Sequence, residues 1–260
     1  MLPKSVCERA MQADLIPENL LVSVKPPKLE APMPNALDDR RGRALLTYLD
    51  AAAETPFNLA VLMALCTGMR EGELCGLRWA DVDLRGRTLR VGRSVARDNG
   101  KYYVKQPKTR SSIRDVPIPR VLAAMLKARR DAQETEFIVA GITPSDERMA
   151  QMYVLGGVDG SYMKPHGLWR PWKELADSMG LVGTQGRRPT FHDLRHTFAT
   201  FAITEGIDVK TVSSILGHAN AAMTLNIYAS ADANAKQAAA ATIDEVMERR
   251  LSPQEMGSFA

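Results

Sequence analysis

Cysteine is scarce in this 260-residue chain, with only Cys7, Cys66 and Cys75. Their number is odd and no spacing among them matches a metal-ligand pattern, which argues against a disulfide framework or a cysteine-held metal. Reduced thiols in a cytoplasmic compartment are expected. Cys66 and Cys75 lie among apolar residues and are expected in the core. Long hydrophobic runs are missing too. The longest, LAVLMALC at 59–66, falls far short of the roughly 20 residues that span a bilayer. The first residues, MLPKSVCERAMQADLIP, lack the apolar region of a secretory signal. No membrane segment is expected, and no repeat period is visible. The remaining composition, 45% hydrophobic and 25% charged, is that of a soluble globular chain able to bury a sizeable core.

Net charge is only +4, but its distribution is uneven. Residues 85–114 carry ten cations (Arg85, Arg87, Arg90, Arg93, Arg97, Lys101, Lys105, Lys108, Arg110 and Arg114) against Asp98 alone, giving +9 and leaving 4 − 9 = −5 for the rest. A solvated hairpin would account for this. A polyanion partner accounts for it better, because clustered Lys and Arg gain by releasing condensed counterions from nucleic acid.

Residues 24–35, VKPPKLEAPMPN, hold four prolines and read as an extended linker. Before it, residues 5–22 read as one short amphipathic helix and a loop. Helices are expected over 38–54, 57–68 (buried and ended by Gly68) and from 70. Strand-like alternation comes next, in VDLRGRTLRVGRSV, KYYVKQ and SSIRDVPIP, punctuated by RG, DNG and PKT. Helices resume at 120–134, then after a Gly-rich irregular stretch at 140–165 they recur near 168–181, 191–205, 208–217, 221–229 and 232–249. The expected class is mainly α with a small three-stranded antiparallel β-sheet.

The stretch TFHDLRHTFAT at 190–200 carries the first chemical signal. Thr190 and Asp193 fit a capping box, which puts His192 in the first helical turn. At 100° per residue, Phe191, Leu194, Phe198 and Phe201 share an apolar face, while His192, Arg195 and His196 fall on a neighbouring polar arc. Two imidazoles and a guanidinium near a helix N-terminus favour an anion. H-D-x-x-H also lies close to the zinc-hydrolase pattern, with His218 as a third ligand. Arg195 would then set a permanent cation beside the metal, and Asp193 is better used as a cap. A third reading is that both histidines simply cover the helix start.

Other segments add to it. TGMREGEL holds Arg70 and Glu73, PKTRSSIRDVPI holds Lys108, HDLRHTFAT holds His192 and Arg195, and LGHANAAMTLNIY holds His218 and Tyr228. Taken together, over roughly residues 36–232, the set resembles the tyrosine recombinase (phage integrase) family. The resemblance implies the catalytic-domain fold of DNA breaking-rejoining enzymes over 36–260, with 1–35 as the end of an N-terminal core-binding domain and its linker. It implies site-specific recombination through a 3′-phosphotyrosine, serving integration or excision of a phage or conjugative element. Arg70, Lys108, His192, Arg195, His218 and Tyr228 would be catalytic, and Glu73 would orient its neighbours. Arg93, Lys105, Arg110 and Arg114 are expected to contact DNA. His196 is divided between a functional and a bland role, and Trp169 is expected to pack. Neither metal nor cofactor is expected. The expected partners are double-stranded attachment sites, with a homotetramer on DNA and a monomer when free. The alternative is a non-catalytic DNA-binding regulator of the same fold, since 209–229 resembles a helix-turn-helix.

Overall fold

The computed structural model describes residues 2–19, 21–24, 33–106 and 113–218. Two units separate between Pro32 and Met33. In the first, α1 (Leu2–Gln12) is followed by a loop that folds back on it. Lys4 Nζ donates to the Val22 carbonyl at 2.9 Å, and Asn19 Nδ2 donates to the Lys4 carbonyl at 3.1 Å. Most of the Pro-rich linker, and the helices expected at 221–229 and 232–249, lie outside the described residues.

The second unit is built around α3 (Pro56–Thr67). Thr55 Oγ1 accepts from the Asn58 N–H at 3.1 Å, Pro56 occupies the first turn, and Gly68 ends the helix with φ +61°. Leu59 through Ala64 are all buried, so the helix is apolar all round and must be surrounded. It is packed by α2 (Asp39–Ala51), α4 (Glu71–Gly76), α5 (Arg120–Val139) and α8 (Asp193–Thr204). α6 (Asp146–Gln151), α7 (Trp169–Ser178) and α9 (Val209–Leu216) complete the described α-helices.

The strands form two ladders rather than one. β1 (Val82–Asp83), β2 (Thr88–Val91) and β5 (Arg114–Pro117) make a three-stranded antiparallel sheet with β2 central. Leu89 faces Val116, both fully buried. β3 (Ser94–Asp98) and β4 (Lys101–Lys105) form a separate hairpin against α4. Asn99 (φ +45°) and Gly100 (φ +82°) turn it, the two left-handed residues that a tight hairpin needs.

The Gly-rich stretch 140–165 is better ordered than its composition suggests. It contains α6, capped by Ser145. Buried side chains of α5 hold the backbone at 153–156. Arg129 donates to the Val154 and Gly156 carbonyls, and Gln133 to those of Tyr153 and Gly156. Among the described residues no helix is long and apolar enough to cross a membrane.

Candidate active site

Two candidate residues come just after left-handed glycines that end helices. Arg70 comes two residues after Gly68, and His218 directly follows Gly217 (φ +65°) at the end of α9. A Cβ on Gly68 would lie 2.4 Å from Leu216 Cδ2, and one on Gly217 would lie 2.9 Å from Arg114 Nη1. The two helix ends therefore approach the same neighbourhood, and each turn sends the chain into it.

α8 supplies the third side. Thr190 and Asp193 form the expected box: the Thr190 N–H and hydroxyl each donate to Asp193 Oδ2 at 2.7 Å, and the Asp193 N–H donates to Thr190 Oγ1 at 3.3 Å. His192 remains exposed at this helix start. Arg195 does not. The helical wheel puts it on a polar arc, yet the residue is 3% exposed. Its Nη1 donates to the Gly68 carbonyl at 2.6 Å and its Nη2 to the Leu216 carbonyl at 2.9 Å. Both carbonyls belong to helix C-termini, where unpaired oxygens and the helix dipole favour a cation. One guanidinium thus fixes the backbone two residues before Arg70 and two residues before His218. Its pKa is pushed down to about 9, first by burial and then by the Arg70 charge, so it stays cationic at neutral pH.

Glu73 is enclosed by donors. It accepts from the Arg70 N–H at 2.9 Å, Arg70 Nη1 at 3.1 Å, and Arg114 Nη1 and Nη2 at 3.1 and 2.8 Å. Burial alone would raise its pKa. The Arg114 hydrogen bonds and charge, with those of Arg70, outweigh burial and hold it below the ordinary carboxylate value. Glu73 thus orients Arg70, whose side chain stays partly open to solvent.

The imidazoles share a cationic surrounding. His218 falls to about 4 through burial, then the charges of Arg195 and Arg70, so it is neutral at neutral pH. His192 is also lowered, by partial desolvation and then by Arg195. His196 meets the His192 ring edge-to-face at 5.2 Å between centroids. Its buried Nδ1 has no hydrogen-bond partner among the described residues. Among those residues no three His, Cys, Asp or Glu side chains converge as a metal site would require.

The residues expected on DNA divide. Lys105 is exposed at the end of β4. Arg93 pairs with Asp81. Arg114, expected from sequence to contact DNA, turns inward: besides Glu73, its Nε donates to the Ile215 carbonyl at 2.6 Å. It therefore ties β5 to α4 and α9, a role that the alternation of β5 does not signal. Lys108, Arg110 and Tyr228 lie outside the described residues. Trp169, expected to pack, is 59% exposed, with its indole N–H on Glu71 Oε2 at 2.9 Å. Two other tyrosines are engaged with neighbours of their own: Tyr153 accepts from Arg78, and Tyr102 stacks on His166. Cys75 is buried and Cys66 half-buried, and burial pushes both thiols up to about 12.

The Phage integrase family profile matches residues 36–235. A "Tyrosine recombinase XerC-like" protein of Caldanaerobacter subterraneus subsp. tengcongensis is 35% identical over 71% of this chain and 48% of its own length. The ICEBs1 integrase of Bacillus subtilis is 28% identical over 74% of this chain and 49% of its own. The chain thus spans about half the length of these curated relatives. The Tn1549 transposon integrase, solved with a circular intermediate DNA, shares the fold with TM-score 0.63 and 24% identity, over 90% of this chain and 76% of that one. The XerA recombinase does so with TM-score 0.54 and 24% identity, over 86% and 68%. The chain belongs to the Phage integrase family.

Proposed function

We propose that this chain cleaves and rejoins DNA strands at specific sites through a 3′-phosphotyrosine on Tyr228, in the integration or excision of a phage or conjugative element. The observation that carries the reading is the double grip of Arg195. It joins the turn leading to Arg70 and the turn leading to His218, with His192 one helical turn earlier. Kinship with the ICEBs1 integrase and the fold of the DNA-bound Tn1549 integrase support a DNA substrate.

In this reading, Arg70 and the remaining donors of Arg195 hold the non-bridging oxygens of the scissile phosphate. The transition state gathers charge there, and preorganised donors stabilise it most. Tyr228 Oη attacks phosphorus, and its proton passes to the imidazole of His218, which becomes more basic once the negative phosphate sits among the arginines. The P–O5′ bond breaks as Lys108 gives a proton to the departing oxygen. His192 adds a donor to the phosphate. The products are a 3′-phosphotyrosyl enzyme and a free 5′-hydroxyl. The 5′-hydroxyl of a partner strand then attacks the phosphotyrosine, so the bond energy is retained and no ATP is consumed. Two double-stranded attachment sites would be joined by four protomers, each a monomer when free.

A nicked suicide duplex, drawn from the junctions of the element that encodes the chain, tests this. A covalent protein–DNA adduct is expected. It should persist in chelator and vanish in Tyr228→Phe. Binding without any adduct would favour a non-catalytic regulator, and chelator-sensitive hydrolysis would favour a metalloenzyme.

A further inference from the structure

Beside His192 the protein opens a cavity of about 520 Å³, lined by Trp169, Trp172, Lys173, Arg188, Phe191 and His192. Its floor is rigid. Trp172 is buried, donates its indole N–H to the Pro189 carbonyl at 2.9 Å, and meets Phe191 edge-to-face. Its rim is unusual. Trp169 exposes 59% of its surface, although indole is among the most costly rings to leave in water. The ring is nevertheless held, because its N–H donates to Glu71 at 2.9 Å. Glu71, which also faces the cavity, directly follows Arg70 in the chain. Lys173 stands one turn beyond Trp169 on α7, exposed and without an ion pair among the described residues. Arg188 is already paired with Asp177.

A fixed, exposed aromatic face with an ammonium one turn away, over an apolar floor, suits one unit of a nucleic-acid strand. Rings pack on a strand's sugars, and on its bases wherever it is unpaired, with little sequence preference, and the cation meets the phosphate. The proposed phosphate grip is continuous with this cavity at both Arg70 (through Glu71) and His192. We infer that the cavity seats the nucleotide of the cleaved strand that adjoins the scissile linkage. Trp169 lies against its sugar, and Lys173 meets its phosphate. This rests on the strand-cleavage reading above. Glu71 orients the indole and opposes a phosphate on its own side, which directs the phosphate toward Lys173.

The test pairs protein variants with altered linkages. Binding of a labelled duplex is measured against salt for the full chain, Lys173→Ala and Trp169→Ala. It is repeated on duplexes with a neutral methylphosphonate at each linkage flanking the scissile one. Lys173→Ala should lower the slope of log K against log salt by about 1. Trp169→Ala should weaken binding roughly tenfold, and Trp169→Phe should restore part of it. At one flanking linkage the methylphosphonate should weaken the wild type but leave Lys173→Ala unchanged. Equal losses in both proteins at every linkage, or an unchanged salt slope, would overturn the assignment. If the wild type forms the Tyr228 adduct while both variants bind as it does, the cavity assignment fails and strand cleavage stands. If the Lys173 coupling appears but no adduct forms, the cavity is a DNA subsite and strand cleavage fails.

Discussion

Arg114 and Glu73 are joined by two N–H···O bonds, 3.1 and 2.8 Å long, between side chains only 9% and 11% exposed. The same carboxylate holds Arg70, and the same guanidinium holds the Ile215 carbonyl near the end of α9. Arg114 is therefore a joint between the segment of Arg70 and the segment of His218. β5 also begins a few residues after Lys108.

Breaking that joint should be costly. Removing one partner of a buried pair costs up to about 3–5 kcal/mol, the upper end applying only where the other charge is left wholly uncompensated, whereas Arg70 still holds Glu73 here. Arg114→Ala is expected to lower unfolding stability by less than that upper end in urea titrations. Arg114→Lys should lose less, keeping the charge but not the paired geometry. If Arg114 were instead a DNA contact, stability would hold and only the salt dependence of binding would change.

Arg195→Lys should separate chemistry from binding. Lysine cannot reach the Gly68 and Leu216 carbonyls and a phosphate together. Adduct formation on a suicide duplex should slow by roughly 10²–10³. Duplex affinity, set by many phosphate contacts, should change little. Equal losses in both measurements would count against a transition-state role.

Gly217→Ala places a Cβ 2.9 Å from Arg114 Nη1 in a backbone with φ +65°. The left-handed conformation alone costs a non-glycine residue about 1–2 kcal/mol. A drop in stability of at least that size is expected in thermal unfolding, with slower cleavage as His218 shifts. Wild-type behaviour would show that the turn is not held by Arg114.

His218 titrates at about 4 in the folded chain, against about 6.5 when unperturbed. Between these values the unfolded chain binds more protons. The stability involved is complete above the unfolded value and is lost as pH falls toward the folded one. His192 and His196 shift in the same direction. Urea midpoints compared at pH 7 and pH 5 should fall more for the wild type than for His218→Asn. Parallel falls would mean that His218 is not desolvated.

Much of this site was legible because its signals are local. Gly68 at a helix end, the Thr190–Asp193 box and the His192–Arg195 spacing each lie within one turn. The features that escaped depend on distant partners. Arg114 reads as one cation of a basic arm because Glu73, 41 positions away, is what turns it inward. Arg195 sits on a polar arc of α8 until the end of α9 covers it. Trp169 reads as core by composition, yet Glu71 holds it at the surface. The basic arm reads as one sheet, whereas the Asn99–Gly100 turn closes β3 and β4 into a ladder of their own. Order in 140–165 comes from Arg129 and Gln133 on α5, which no pattern inside that stretch reveals.

Strand cleavage by Tyr228 is tested most directly by digesting the covalent complex formed on a suicide duplex and locating the nucleotide by mass spectrometry. A single modified peptide is expected, carrying a 3′-phosphodeoxynucleotide on Tyr228. A nucleotide on any other residue, such as Tyr102 or Tyr103, or a cleaved duplex with no protein attached, would contradict it.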